Sequence, residues 1–312
     1  MKLIAELCQN HNGRVDILEE MVLKAKECGF THVKIQGAYS EELTRREEFE
    51  NPHGPLYRPF SREVERLQYL DLDAASEARF VDLAIESEIT PMITVFTHKG
   101  VDRAQAAGFK SIKIASYDCA SRPLIDRVSE FATEIVVSTG ATAWREVEQT
   151  AIMLKKIQSR GIEVTLLHAR TIYPTPSADI GLARMIALKD FGFFVGFSDH
   201  SEPETTGLLA TKFAIILGAD CIERHFTILP KDQTKDGKVS VNEEQAAELC
   251  SFARSTKRAQ IQSIGGAFDE LGTYVLSHGV EPTPVEVQNA KYYRGRFASS
   301  YNGEMRYSWE EL

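Results

Sequence analysis

An α/β fold, eight strands and their helices closed into a (β/α)8 barrel, is what the sequence predicts. Three observations carry that expectation. Eight short apolar or β-branched runs recur along the chain, segments of helical spacing separate them, and no GxGxxG follows any run. Strand–helix alternation implies parallel pairing with helices outside. Eight units favour closure over an open doubly wound sheet, whose phosphate-binding glycines are missing here.

The first run is LIAEL (3–7), and behind it Val15, Leu18, Val22 and Ala25 recur every three or four residues as one apolar helix face. HVKIQ (32–36) is the second. A long charged insertion, residues 40–70, then separates it from its helix, on the strand-exit side where a lid would lie. PMITVF (91–96), SIKIAS (111–116), EIVVST (134–139), EVTLLHA (163–169) and FFVGFSD (193–199) repeat the pattern, and CIERHFT (221–227) completes it. Behind the eighth run Asn242 is the N-cap of a helix with acidic first-turn residues and Ala246, Leu249 and Ala253 on one face. Residues 1–262 are therefore read as the barrel. Residues 263–312 form an extension rich in Gly, Pro and Tyr, too short for a separate domain, with PTPVEVQNAKYY its only helix-like part.

At 312 residues, 43% hydrophobic and 26% charged, the chain has material for a large core. No apolar run approaches the roughly 18 residues that span a bilayer. The opening MKLIAELCQNHNG is a poor secretory signal, so the cytoplasm is the expected compartment and no membrane partner is expected. Five cysteines, odd in number and without a CxxC pair, argue against a disulfide framework or a zinc knuckle. A net charge of −9 argues against a nucleic-acid surface. It leaves room for a small anion, because lysines in a pocket outweigh the global sign locally.

Functional groups of such barrels gather where strands end at their carboxyl face. Here those ends carry Glu6 with Asn10 and His11, Lys34 with Gln36, Thr94, Lys113 with Ser116 and Asp118, Ser138, His168 with Tyr173, Ser198 with His200, and His225. Any one of these alone is an ordinary edge residue. Lys34 and Lys113, however, lie in apolar runs that aim them into the barrel mouth, where an ammonium is costly without an anion beside it. The hydroxyls of Thr94, Ser116, Ser138 and Ser198 add a set suited to phosphate and carboxylate. His200 and His225 leave adjacent strands and so read either as a metal pair or as structural imidazoles at the mouth. His32, His53, His98 and His278 have no such context, and His168, inside an apolar strand, reads as core.

In this order IAELCQNHNG, VKIQ, KIAS, STG, IYPTP, GFSDHS and ERHFT resemble the sialic acid synthase (N-acetylneuraminate synthase) family through residues 3–240. The resemblance implies a TIM-barrel enzyme that condenses phosphoenolpyruvate with an N-acylated aldose to a nonulosonic acid and phosphate. It also implies a required divalent metal, Mn2+ or Mg2+. Residue by residue, it implies Lys34, Thr94, Lys113, Ser116, Ser138 and Ser198 for phosphoenolpyruvate. It implies Gln36, Asp118, Tyr173 and Asp236 for the sugar, His200 and His225 for the metal, Glu6 for proton handling and Asp236 as a base.

Departures from the family pattern are Asp118 where Glu is usual, Thr171 where Asn is usual, and four extra residues around SEPE between the two histidines. The antifreeze-like domain that lends an Arg to the sugar is also expected to be missing, which leaves Arg294 or Arg296 as substitutes. A homodimer is expected by resemblance. Two other readings stay open: an octulosonate- or heptulosonate-type synthase with a phosphorylated acceptor, for which no second Arg/Lys cluster is evident in the sequence, and a non-catalytic binding barrel.

Overall fold

Eight parallel strands close on themselves in a computed structural model that describes residues 1–276 and 279–311. His278 of the sequence reading lies outside the described residues. The strands are β1 (Lys2–Cys8), β2 (His32–Gly37), β3 (Thr90–Val95), β4 (Ser111–Ile114), β5 (Glu134–Ser138), β6 (Glu163–Ala169), β7 (Phe194–Asp199) and β8 (Cys221–His225). Each pairs with the next, and β8 returns to β1, so the barrel has no open edge. All eight runs fall where the sequence places them. The fourth is shorter than expected: β4 stops at Ile114, and Ser116 and Asp118 stand in the 3-10 turn Ser116–Asp118 just beyond it.

Alternation along each strand sorts residues into two environments. One set, including Leu3, Ala5, Val33, Ile35, Ile93, Ile112, Val137 and Val195, packs outward against the helices in a single continuous core. Each fully buried Val, Leu or Ile of this set contributes about 1.5–3 kcal/mol relative to exposure. The other set fills the barrel itself in layers. Ile4, Met92, Val136, Leu167 and Cys221 form an apolar plug. Gly196 belongs to this level, where a side chain would run into the carbonyl of Cys221 on the adjacent strand. Beneath the plug Lys2 bonds Glu134 and reaches Glu163 at 2.6 Å, with Ser111 also on Glu134 and His32 at 3.3 Å from it. This paired charge at the strand-entry end braces the barrel. The layer above the plug, at the strand exits, is the site.

Flanking helices follow their sequence signals. Asn242 Oδ1 accepts from Gln245 N at 2.9 Å and Gln245 Oε1 accepts from Asn242 N at 3.1 Å, a capping box at the start of helix Glu243–Arg254. Among the described residues no helix is long and apolar enough to cross a membrane.

The insertion and the extension are more ordered than the sequence suggested, and they are built into each other. Residues 40–70 hold two 3-10 turns, Ser40–Glu42 and Glu47–Phe49, and helix Phe60–Leu70. Besides Pro284–Tyr293, the extension holds the 3-10 segment Gly265–Glu270 and helix Leu271–Val275, and it goes on to a hairpin of β9 (Ala298–Tyr301) and β10 (Glu304–Tyr307). Leu43 bridges to Phe297, Thr44 N donates to the Arg296 carbonyl at 2.9 Å, and the Arg46 guanidinium donates to the carbonyls of Lys291 and Arg294 at 3.2 and 3.0 Å. Glu286, fully buried, ties helix Pro284–Tyr293 to the barrel by accepting from Arg170 Nη1 and Thr171 N, both at 3.0 Å. The two segments thus make one wall on the strand-exit side.

Glu42 is buried in that wall, accepting from Thr97 Oγ1 at 2.6 Å and Ser299 Oγ at 3.3 Å. Burial pushes its carboxyl up to about 7, against the opposing pull of those two hydroxyls. Between the ordinary value of 4.5 and about 7 only the unfolded chain ionises, so stability falls as pH rises through that window and levels off above it. Glu42→Gln has no proton to lose there. It is expected to be more stable than the parent above about pH 7 by on the order of 2 kcal/mol, with the gap closing below about pH 4.5. Thermal melts of both proteins across pH check this, and a gap independent of pH refutes it.

Candidate active site

Four charges of alternating sign sit at the floor of the mouth, each nearly sealed from water. The register aligns Glu6 with Lys34 on β2 and with His225 on β8, and Thr94 with Lys113, so the inward residues of neighbouring strands meet at one level. Lys34 Nζ bonds Glu6, donates to Thr94 Oγ1 at 2.9 Å and lies 3.7 Å from Glu223. Lys113 Nζ donates to both oxygens of Glu223, at 2.8 and 2.7 Å, and Ser198 Oγ donates to the same carboxylate at 2.7 Å.

Burial alone would raise the Glu223 carboxyl. Lys113 and Lys34 overrule it and hold the group well below the usual carboxylate range, so Glu223 is an anion. Burial likewise depresses both ammoniums. At Lys34 the carboxylates of Glu223 and Glu6 outweigh it, whereas at Lys113 burial and the repulsion of Lys34 prevail and its value falls. The cup is charge-balanced as it stands, and an incoming anion has to exchange with Glu223 for its ammonium partners.

Glu223 is the residue the sequence reading missed. The signal was present: period-two alternation in CIERH puts positions 221, 223 and 225 on one face, and His225 was already aimed at the mouth.

Above the charged floor opens a cavity of about 580 Å³. Every residue that the resemblance assigns to a substrate, the metal or proton handling lines it: Glu6, Lys34, Thr94, Lys113, Ser116, Ser138 and Ser198, then Gln36, Asp118, Tyr173 and Asp236, and finally His200 and His225. Burial pushes the Asp118 carboxyl up to about 7 where it meets Ser308, just past the C-terminal hairpin. Asn10 and His11 are not among the lining. Asn10 Nδ2 instead donates to the Phe226 carbonyl and Ser240 Oγ, both at 3.0 Å. His168 is a core residue bonded to the Ile180 carbonyl at 2.7 Å.

The two imidazoles meet edge to face with ring centroids 5.4 Å apart. Nδ1 of His200 pairs with the Arg170 carbonyl at 2.6 Å, which assigns the proton to that nitrogen and leaves the Nε2 lone pair toward the mouth, 3.3 Å from Tyr173 Oη and Ser198 Oγ. His225 Nδ1 is buried with no hydrogen-bond partner among the described residues. Burial keeps both rings neutral, lowering His200 and pushing His225 down to about 3. Neutral nitrogens, one oriented by a backbone carbonyl and one unpaired, are a donor set that fits a divalent ion.

The outer rim departs from expectation. Arg294 is not part of it, because both of its terminal nitrogens are taken by Glu146 at 2.9 and 3.0 Å. Arg296 does line the cavity, with Arg58 and Arg66 from the insertion and Lys235 from the segment after β8. Glu63 binds Arg296 at 2.7 Å and Arg66 at 3.2 Å and neutralises only part of this charge. A second cationic cluster therefore exists where the sequence showed none.

Fold and cavity together define a (β/α)8-barrel enzyme with a mouth of paired charges. Residues 21–264 match the NeuB family, and the chain belongs to it. Similar proteins include an N,N'-diacetyllegionaminic acid synthase of Campylobacter jejuni, 29% identical over 259 residues that cover 82% of this chain and 76% of that protein. An uncharacterised protein of Methanocaldococcus jannaschii is 31% identical over 260 residues, covering 82% and 71%. Among solved structures, an N-acetylneuraminic acid synthetase of Leptospira borgpetersenii superposes with a TM-score of 0.69 at 24% identity, covering 93% of this chain and 90% of that one, a likeness of fold.

Proposed function

We propose that this enzyme condenses phosphoenolpyruvate with an N-acylated aldose, giving a nonulosonic acid and inorganic phosphate. The observation that carries the reading is the Lys34–Glu6 and Lys113–Glu223 cup sharing one cavity with two neutral histidines. Phosphate and carboxylate of the three-carbon substrate take the ammoniums of Lys34 and Lys113 and the hydroxyls of Thr94, Ser116, Ser138 and Ser198. Gln36, Asp118, Tyr173 and Asp236 hold the open-chain sugar so that its aldehyde carbon faces C3 of phosphoenolpyruvate.

C3 bonds to the aldehyde carbon, whose oxygen takes a proton. Water adds at C2, and the C2–oxygen bond to phosphorus breaks to release phosphate and leave a keto group. Glu6 and Asp236 are the carboxylates placed to pass the protons. A divalent ion at His200 and His225, Mn2+ or Mg2+, supplies Lewis-acid polarisation of the aldehyde oxygen when bound.

The Arg58, Arg66, Lys235 and Arg296 rim favours a second reading, in which the acceptor carries an acidic group such as a phosphate at its far end. Phosphate release measured with phosphoenolpyruvate, metal and paired neutral and phosphorylated aldoses separates the two. For an acidic acceptor, Arg296→Ala is expected to raise KM by about 10- to 100-fold, the scale of one charge-assisted hydrogen bond, and to leave KM for phosphoenolpyruvate unchanged. For a neutral acceptor the same variant has less than about a threefold effect. Release of phosphate with no aldehyde of either kind overturns both readings.

A further inference from the structure

Among the described residues, one cluster of metal-donor atoms at the mouth joins His225 to residues other than His200. Cys8, His225 and Asp236 each present one ligand atom within 4.8 Å of the other two. Cys8 Sγ donates to Asp236 Oδ2 at 2.9 Å, and the unpartnered Nδ1 of His225, buried in the mouth, lies 3.8 Å from the same oxygen. Cys8 comes to this position through a bulge. The β1–β2 register shifts between Glu6 and Cys8, and Cys8 takes a φ of 49°, the left-handed region that non-glycine residues seldom occupy. The other four free cysteines are not among the residues lining the cavity.

From this juxtaposition we infer that Cys8 is a protein ligand of the divalent ion held by His200 and His225. The inference rests on the two-histidine reading. On metal uptake the Cys8 S–H bond breaks, its proton leaves to solvent, and the sulfur lone pair goes to the ion. Asp236 Oδ2 loses its hydrogen bond from the thiol and is freed for the reaction. No electron changes hands. Two imidazoles and one thiolate leave a coordination position open, the count of a catalytic rather than a structural site. Soft sulfur also moves the preference away from magnesium and manganese toward zinc, iron(II) or cobalt(II).

Cobalt(II) titrated into the purified protein tests this without reference to turnover. The parent is expected to show a near-ultraviolet thiolate-to-cobalt charge-transfer band together with the visible ligand-field bands. Cys8→Ser is expected to lose the first and keep the second, while zinc affinity falls more than about 10-fold and manganese affinity changes little. Cys8→Gly, which suits the left-handed backbone, serves if the serine variant folds poorly. Cobalt bound without a sulfur band, or a band that survives both variants, overturns the role of Cys8 alone. No cobalt uptake by the parent overturns the two-histidine site as well.

Discussion

His225→Ala is expected to retain its fold, fail to hold a divalent ion through dialysis, and turn over about three orders of magnitude more slowly, or worse. The size follows from the several kcal/mol that Lewis-acid polarisation supplies, at 1.36 kcal/mol per factor of ten. The fold should survive because Nδ1 of this ring has no hydrogen-bond partner among the described residues and the side chain faces a cavity that water can fill. Truncation therefore breaks no internal bond, and the melting midpoint should move by no more than a surface substitution moves it.

His200 is a less clean target, since its Nδ1 bonds the Arg170 carbonyl, and Arg170 also braces Glu286 and the C-terminal helix. Metal content, kcat and a thermal melt on the same preparation decide the matter, and a chelator on the parent should reproduce the loss. Full turnover by the metal-free variant would remove the histidine pair from the chemistry.

How much of this could be read from the chain depends on which interactions are local. The eight strands were legible because each is a short apolar run between helical segments, and the polar exits were legible because period-two alternation fixes which side of the strand a residue faces. Lys34, Lys113, His200 and His225 follow from that rule alone. Glu223 obeys the same rule and was passed over, although an inward ammonium demands a counter-ion.

The hairpin β9–β10 was also signalled. Asn302 and Gly303, with φ of 52° and 85°, form the Asn-Gly turn that joins two short strands. The cationic rim carried no such signal. Arg58, Arg66, Lys235 and Arg296 come from three segments that meet only once the C-terminal wall has folded onto the insertion, and no local periodicity records that contact. Cys8 shares the inward face of Ile4 and Glu6 by the same alternation, but its approach to Asp236, 228 residues away, depends on the bulge and the segment after β8 and is a tertiary event.

Lys113→Met separates what holds the barrel together from what binds substrate. Lys113 supplies two of the three short hydrogen bonds to Glu223, and the remaining ammonium, Lys34, is 3.7 Å from Glu223 and already committed to Glu6. The variant leaves a sealed carboxylate with little more than the Ser198 hydroxyl, which is expected to cost about 3–5 kcal/mol of stability near neutral pH. That cost has a pH signature. In the parent Glu223 is held well below its ordinary 4.5, so its contribution is present above that value and is lost as pH falls. In the variant the carboxyl is no longer held down, so the deficit relative to the parent should shrink in acid as Glu223 takes up a proton.

Pairing Lys113→Met with Glu223→Gln removes both charges and should recover most of the stability, because an uncharged pair of similar volume needs no compensation. It should not recover phosphoenolpyruvate binding. With an ammonium gone from the floor of the cup, KM for that substrate is expected to rise about 100-fold or more in the single and the double variant alike, the scale of two charge-assisted hydrogen bonds. A double variant that regains both the melting temperature and the parent KM would mean that the four alternating charges only brace the barrel and that the anion binds elsewhere.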